Sequence, residues 1–377
     1  MTASHDPESI LSLVQPHLRD VPPYVPVEPP EEVAKRLGLP PDRIVKLDAN
    51  ENPYGPSPAV REALARADSL HIYPDPEQRR FREAIGRYVG LDAAHVIGGT
   101  GSDELIDLLI RLFVAPGDAL LNFPPTFSFY PFLAAIQDAF VVDVERRADH
   151  SIDIDKALAA APGVNLIVAT SPNNPSGTLL PREDLLALLA TGKPVIVDEA
   201  YVEFCGQSCV DLVPEHANLI VLRTLSKWAG LAGLRAGYMV AQPALIDLVL
   251  RVKQPYNLNA AAEIATLASL DDVEYLKKRI GAIVRERERL FGLLAALPGF
   301  EVTPSSSNFL LCRLQDASAR DVHKQLLDRG ILVRYFDTPL LQNHIRVTAG
   351  RPEQTDALMT ALREIIGASE GVKGTKE

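Results

Sequence analysis

Between His95 and Ala241 seven short apolar runs recur: HVIGG, DALLNF, FVVDV, NLIVAT, KPVIVDEA, ANLIVLRT and GLRAGYMVA. Their alternation with longer stretches limits the fold more than any other feature of the chain. Short continuous apolar runs read as strands buried on both faces, because a strand with one wet face would alternate apolar and polar residues. Several intervals, SDELIDLLIRLF and PREDLLALLA among them, carry the helical period instead. Strands joined through helices run parallel. The expected architecture is therefore α/β, a mostly parallel seven-stranded sheet between helices.

The rest of the chain changes style. After Gln242 helical pattern dominates, and the charged run RERER reads as a solvated helix face. The last hundred or so residues mix strand-like FEVTP, NFLLCRL, ILVRY and HIRVTAG with helical SARDVHKQLLD and PEQTDALMTALREII, a smaller α+β domain. Ten of the 30 prolines fall between Pro22 and Pro58. Proline fixes φ and removes a donor, so this segment is expected to run extended over a surface. Tyr24, Tyr54 and the polar run Asn50-Glu51-Asn52 argue that it is more than a linker. The expected boundaries are an arm at 1–50 contributing to the small domain, a large domain at 51–265, a small domain at 266–368, and a disordered tail at 369–377.

Charge and cysteine content exclude several classes. Lys and Arg number 38 against 49 Asp and Glu, a net charge of −11. A broad basic footprint for nucleic acid or an anionic membrane is not expected, so an anionic substrate needs a few well-placed arginines. Cys205, Cys209 and Cys312 give neither a disulfide framework nor Cys-x-x-Cys metal spacing. No apolar run has the length of a membrane span, and MTASHDPESI lacks the order of a signal peptide. A soluble cytoplasmic enzyme, with no metal, is the expectation.

Four loops after apolar runs carry chemistry-bearing residues. Gly98-Gly99-Thr100-Gly101-Ser102-Asp103-Glu104 lies between a strand and a helix. It reads equally as a tight turn and as a phosphate cradle of free backbone N–H groups. Glu104 at the third glycine position makes it a poor dinucleotide fingerprint. Asp198-Glu199-Ala200-Tyr201 follows VIV; an acid pair there suits a cap, a metal ligand, or a carboxylate that keeps a cationic ring nitrogen protonated. Lys227, in Arg223-Thr224-Leu225-Ser226-Lys227 and eight residues before Arg235, suits a Schiff-base lysine as well as a surface charge. Ser171-Pro172-Asn173-Asn174-Pro175-Ser176-Gly177 is a turn by every local rule, and can offer Asn174 to a bound ring.

Taken in order, these residues resemble the fold-type I pyridoxal-phosphate-dependent aminotransferases over nearly the whole chain. The pattern comprises Gly101-Ser102-Asp103, Phe127 in PPTFSFY, Asn174-Pro175-Ser176-Gly177, Asp198-Glu199-Ala200-Tyr201, Ser226-Lys227 and Arg235. LDANENPYGPSP, IYPD, FPPTFSFY, SPNNPSG, VDEAYVEF, RTLSKWAGLAGLRAGY, QPYNLN and HIRVTAG place the resemblance with the histidinol-phosphate aminotransferases of class II. The chain departs from them at Trp228-Ala229, where relatives often read Ala-Phe, and at Phe127, where tyrosine often stands.

The resemblance implies a set of roles. Lys227 would bind pyridoxal 5'-phosphate and move the substrate Cα proton. Asp198 would pair with the pyridine N–H, Tyr201 and Asn174 would bond the phenolic oxygen, and Phe127 would stack on the ring. Gly101, Ser102, Asp103, Ser226 and Arg235 would hold the phosphate, joined by Tyr73 from the other subunit of a homodimer. Arg346 and Arg334 would bind the substrate anion, with Asn50 lining the site and Tyr24 closing over it. The implied reaction is transamination between L-histidinol phosphate and 2-oxoglutarate, giving L-glutamate. An aromatic aminotransferase, a phosphothreonine-type decarboxylase and a non-catalytic cofactor-binding regulator are the alternatives; for the last, no length is left for a DNA-binding module.

Overall fold

A computed structural model describes residues 10–373. All seven apolar runs are strands: β2 (Val96–Thr100), β3 (Ala119–Asn122), β4 (Phe140–Asp143), β5 (Leu166–Thr170), β6 (Val195–Asp198), β7 (Leu219–Thr224) and β8 (Ala236–Val240). They form one sheet in the order β2-β8-β7-β6-β5-β3-β4. The chain is α/β and the sheet mostly parallel; β8 alone runs antiparallel to both its neighbours. The apolar run that became β8 carried no sign of its direction.

Side chains alternate across the sheet with period two. Ile97, Leu120, Val168, Ile196, Leu222 and Met239 enter one core with the helix Gly101–Phe113. Val96, Leu121, Ile167, Val197, Val221 and Val240 enter the other. Both faces of the inner strands are dry, which is why their runs are continuously apolar; the edge strand β4 leaves Phe140 exposed.

A second sheet has the order β1-β11-β12-β10-β9. It combines β1 (Val45–Leu47) with β9 (Phe300–Val302), β10 (Phe309–Leu314), β11 (Ile331–Tyr335) and β12 (His344–Thr348). The long helix Val273–Ala295 serves both layers: Leu276, Ile280 and Ile283 pack with the large sheet, Leu290 and Leu294 with the small one.

The proline segment is less uniformly extended than expected. It forms a helix, Pro30–Leu37, that buries Val33 and Ala34. Proline at the first helical position loses no hydrogen bond, and Glu31 and Glu32 suit the positive helix end. At the other end the helix from Pro352 runs to Lys373, into the stretch expected as a disordered tail. Residues 374–377 of that tail lie outside the described residues.

Close approach of backbone fixes the start of the helix Gly101–Phe113. Gly101 has φ +73°. Gly237 on β8 lies against this turn, and a Cβ there would fall on Ser102 N and Gly101 C. Gly233 has no atom within 4 Å of its own would-be Cβ. Gly237→Ala should therefore cost about 1–3 kcal/mol in urea unfolding, whereas Gly233→Ala should stay within about 0.5 kcal/mol.

Candidate active site

The carboxyl ends of parallel strands are where open α/β sheets bind ligands, and this edge gathers the candidates. Gly101, Ser102 and Asp103 follow β2, Phe127 follows β3, Asn174 follows β5, Asp198 ends β6, and Ser226 and Lys227 follow β7. Because β8 is antiparallel, Arg235, just before its first residue, reaches the same edge.

Lys227 is partly buried, its Nζ donating 3.1 Å to the carbonyl of Ala49. Burial and then the nearby Arg346 guanidinium bring its ammonium down to about 8. Asp198 is 6% exposed. Its carboxylate accepts from the Tyr130 hydroxyl at 2.7 Å and the Ala200 N–H at 3.0 Å. Neither partner is a cation, and burial pushes the carboxyl up to about 6. Tyr201 OH accepts 3.0 Å from Asn50 Nδ2, and its ring meets Phe309 edge-on at 5.0 Å.

Asn50 is in the left-handed region, φ +54°, which Asn tolerates better than most residues. Thr348 Oγ1 accepts from its N–H and donates to its Oδ1, while Asn308 Nδ2 bonds its carbonyl. Arg346 reaches from β12 to Asn174 Oδ1 and the Asp48 carbonyl, both at 2.6 Å. Its Nε is buried without a partner, and burial lowers the guanidinium to about 10. Arg334 stands directly beside Arg346 in the β11–β12 register and donates 2.9 Å to the carbonyl of Val25. Tyr24, next in the arm, packs edge-on to Phe129 at 5.7 Å.

Other candidates sit differently from their expected roles. Arg235 NH2 is 2.6 Å from the Asp103 carboxylate, so this cation already has an anion. Glu104 folds back onto the start of the helix, accepting from the N–H of the N-cap Thr100 at 2.6 Å and from Asn257 Nδ2 at 3.0 Å. Ser226 Oγ accepts from Thr224 Oγ1 at 2.9 Å. Phe127 meets Tyr130 edge-on at 5.6 Å. Trp228 has its indole stacked on Tyr88 at 5.4 Å within the core. Tyr73 is 77% exposed, stacked on Tyr256 at 4.4 Å, and joins none of the contacts above.

Three contributions are not visible in the sequence motifs. Tyr130 stands three residues after Phe127, and only its helix, packed on the sheet, brings its hydroxyl to Asp198. The Ala49 and Asp48 carbonyls are backbone groups that no motif displays.

The donor set fits pyridoxal phosphate. Asp198 is a buried carboxylate lacking a cation, which a protonated ring nitrogen would supply. The first-turn N–H groups after Gly101 and the helix dipole suit a phosphate. Arg346 keeps an unpaired buried N–H for a second anion.

Comparison with known proteins gives the same picture. The family described as aminotransferase class I and II matches residues 42–362. A histidinol-phosphate aminotransferase from Roseiflexus castenholzii is 48% identical over 369 residues, covering 95% of this chain and all of that one. Histidinol-phosphate aminotransferase 1, chloroplastic, of Arabidopsis thaliana is 44% identical, covering 94% of this chain and 86% of that one. The crystal structure of the Sinorhizobium meliloti histidinol-phosphate aminotransferase in complex with pyridoxal-5'-phosphate aligns with TM-score 0.86 and 27% identity, over 95% of this chain and 98% of that one.

A pH prediction follows from Asp198. Its folded pKa of about 6 lies above the unfolded value, so the folded apoprotein binds more protons than the unfolded chain between them. Stability from this group is full at acid pH and falls as pH rises through about 6. Relative to the parent apoprotein, Asp198→Asn should gain up to about 1.4 kcal/mol per pH unit from roughly pH 4 to 6 and hold that gain above. Urea titrations at several pH values measure it; a pH-independent difference would mean that folding leaves the pKa of this carboxyl unshifted.

Proposed function

The chain belongs to the class I and II aminotransferase family, and on that basis we propose that it is a pyridoxal-phosphate enzyme transferring the amino group of L-histidinol phosphate to 2-oxoglutarate. The observation that carries the reading is a partly buried lysine of lowered pKa and a buried, cation-free aspartate at one edge of the large sheet, in a chain whose relatives are histidinol-phosphate aminotransferases.

Bound here, the cofactor supplies a conjugated cationic ring that stabilises negative charge developing at the substrate Cα. Everything else falls to the chain. Lys227 Nζ would hold the cofactor and would carry the proton of the substrate Cα. Its lowered pKa, about 8 in the apoprotein, favours the free amine that this task needs. Asp198 holds the proton on the ring nitrogen, and pairing with that cation draws its own pKa back down. Tyr201 and Asn174 donate to the ring oxygen, and Phe127 covers one face. Gly101 makes the turn, its own N–H held by the Arg235 carbonyl at 2.9 Å, and Ser102 and Asp103 offer N–H groups to the phosphate, with the Ser226 hydroxyl and Arg235.

Arg346 and Arg334, side by side on the small sheet, bind the donor's phosphate in one half-reaction and a carboxylate of glutamate or 2-oxoglutarate in the other. Asn50 steadies Tyr201, and Tyr24 lies across the entrance. Exposed Leu70, Ile72, Tyr73 and Tyr256 suit a homodimer interface that would carry Tyr73 to the partner's phosphate. Among the described residues no helix is long and apolar enough to cross a membrane, and the three cysteines are free. We place the enzyme in the cytoplasm.

Two experiments test this. Borohydride reduction of the cofactor-loaded protein should attach the cofactor to the peptide holding Lys227, and Lys227→Ala should abolish both attachment and turnover; attachment at another lysine overturns the assignment. Arg346→Lys keeps the charge but loses the fork, so it should weaken both histidinol phosphate and glutamate. Unphosphorylated histidinol should be a poor donor for the parent, with a much smaller penalty in the variant; each charge-assisted bond lost is worth about 1.5–3 kcal/mol. Should phenylalanine or tyrosine turn over faster with no such coupling, the aromatic reading replaces this one. Carbon dioxide release without a keto acid would instead mark the decarboxylase.

A further inference from the structure

Arg146 has no part in the roles above, yet it is 8% exposed and all its side-chain hydrogen bonds go to uncharged oxygens. Nε donates 3.0 Å to the carbonyl of Phe123, NH1 3.0 Å to that of His150, and NH2 3.4 Å to Thr170 Oγ1. Its backbone N–H donates to the Pro124 carbonyl at 2.8 Å. Burial lowers the guanidinium to about 10, so it stays charged at neutral pH without a carboxylate to pair with. A buried unpaired charge is costly, and the position of its partners indicates what it does there.

Phe123 opens the loop from β3 to Phe127, and Thr170 ends β5 just before the loop holding Asn174. The two loops are knit together on the same oxygens. Thr170 Oγ1 donates to Asn173 Oδ1 at 2.5 Å, and Thr126 Oγ1 donates there at 2.8 Å. Asn173 Nδ2 reaches back to the Pro125 carbonyl at 3.1 Å. The His150 carbonyl also accepts from Thr178 Oγ1 at 3.2 Å, at the far end of the Asn174 loop. This web is neutral apart from Arg146. A planar fork of five donors can bond three acceptors in different directions, which an ammonium on a flexible stem cannot do from a fixed position.

We propose that Arg146 is a positioning residue for the cofactor ring, locking the Phe127 loop to the Asn174 loop so that stacking face and hydrogen-bonding edge meet the ring in register. The proposal rests on the reading that Phe127 and Asn174 face that ring.

The test uses the cofactor-loaded full chain with Arg146→Lys, Arg146→Met and Thr170→Val, the last removing a bonded hydroxyl while leaving the charge. The readouts are visible circular dichroism of the bound cofactor, cofactor affinity of the apoprotein, kcat and KM for histidinol phosphate, and urea unfolding of the apoprotein. Arg146→Lys should alter the dichroism and weaken cofactor binding by about tenfold or more, the scale of lost supporting contacts. Its kcat should fall about 10–100-fold, the cost of a small misplacement. KM should move less than about threefold, since the donor's anion is held elsewhere. Parental dichroism, affinity and kcat in Arg146→Lys overturn the proposal, as does a loss that follows unfolding free energy alone across the three variants. If neither Arg146 variant folds, Thr170→Val decides: a parental signature overturns the proposal, and altered dichroism at parental stability supports it. A parent protein that binds no cofactor, or dichroism indifferent to Phe127→Ala, would sink the reading beneath it; a cofactor-binding parent with indifferent Arg146 variants sinks the proposal alone.

Discussion

Burial of both faces of the seven-stranded sheet is the constraint on which the molecule depends. Helices must cover each face, so successive strands are joined by crossovers and most run parallel. Parallel strands all end at one edge, and the loops leaving that edge converge without being adjacent in sequence. The one antiparallel strand, β8, brings Arg235 to the edge and lets Gly237 lie against the Gly101 turn. Any side chain larger than hydrogen at Gly237 presses on the backbone that begins the helix Gly101–Phe113, the helix proposed to face the phosphate.

Electrostatics at this edge are set by desolvation more than by ion pairing. Lys227, Arg346 and Arg146 are all held below their ordinary values, and Asp198 above its own, each with burial as the largest cause. These directions oppose the charged forms, so a ligand bringing an anion to the arginines and a cation to Asp198 relieves what folding imposed. In a chain with net charge −11, attraction for an anionic substrate comes from this local set and not from the overall field.

The segment 48–50 couples the two sheets. Its backbone takes Lys227 Nζ at Ala49 and Arg346 at Asp48, and the Asn50 side chain holds Tyr201. Just beyond it in space, Arg346 of the small sheet grips Asn174 of the large one. On the proposed roles, the residue that would meet the substrate's anion is thus bonded to one that would meet the cofactor, which would tie substrate docking to the geometry of the ring site. Arg334, bonded to Val25, extends the same link to the arm that carries Tyr24.

Sequence alone determined the seven strands of the large sheet and its mostly parallel character, and it displayed the ordered set of candidate side chains, but it did not show β1, a strand of three residues. Local apolar pattern encodes burial, and a lysine, an aspartate or a glycine-rich turn at a strand end is visible without coordinates. Strand direction in β8 was not legible, because an apolar run looks the same in either orientation. The helix Pro30–Leu37 was hidden by prolines that it accommodates at its first turn. Tertiary structure alone decided that Tyr130 meets Asp198, that backbone carbonyls at 48 and 49 hold the arginine and the lysine, and that Arg146 ties two loops together. These contacts join residues far apart in the chain, several through main-chain atoms that every residue possesses, and only the folded arrangement selects which of them meet.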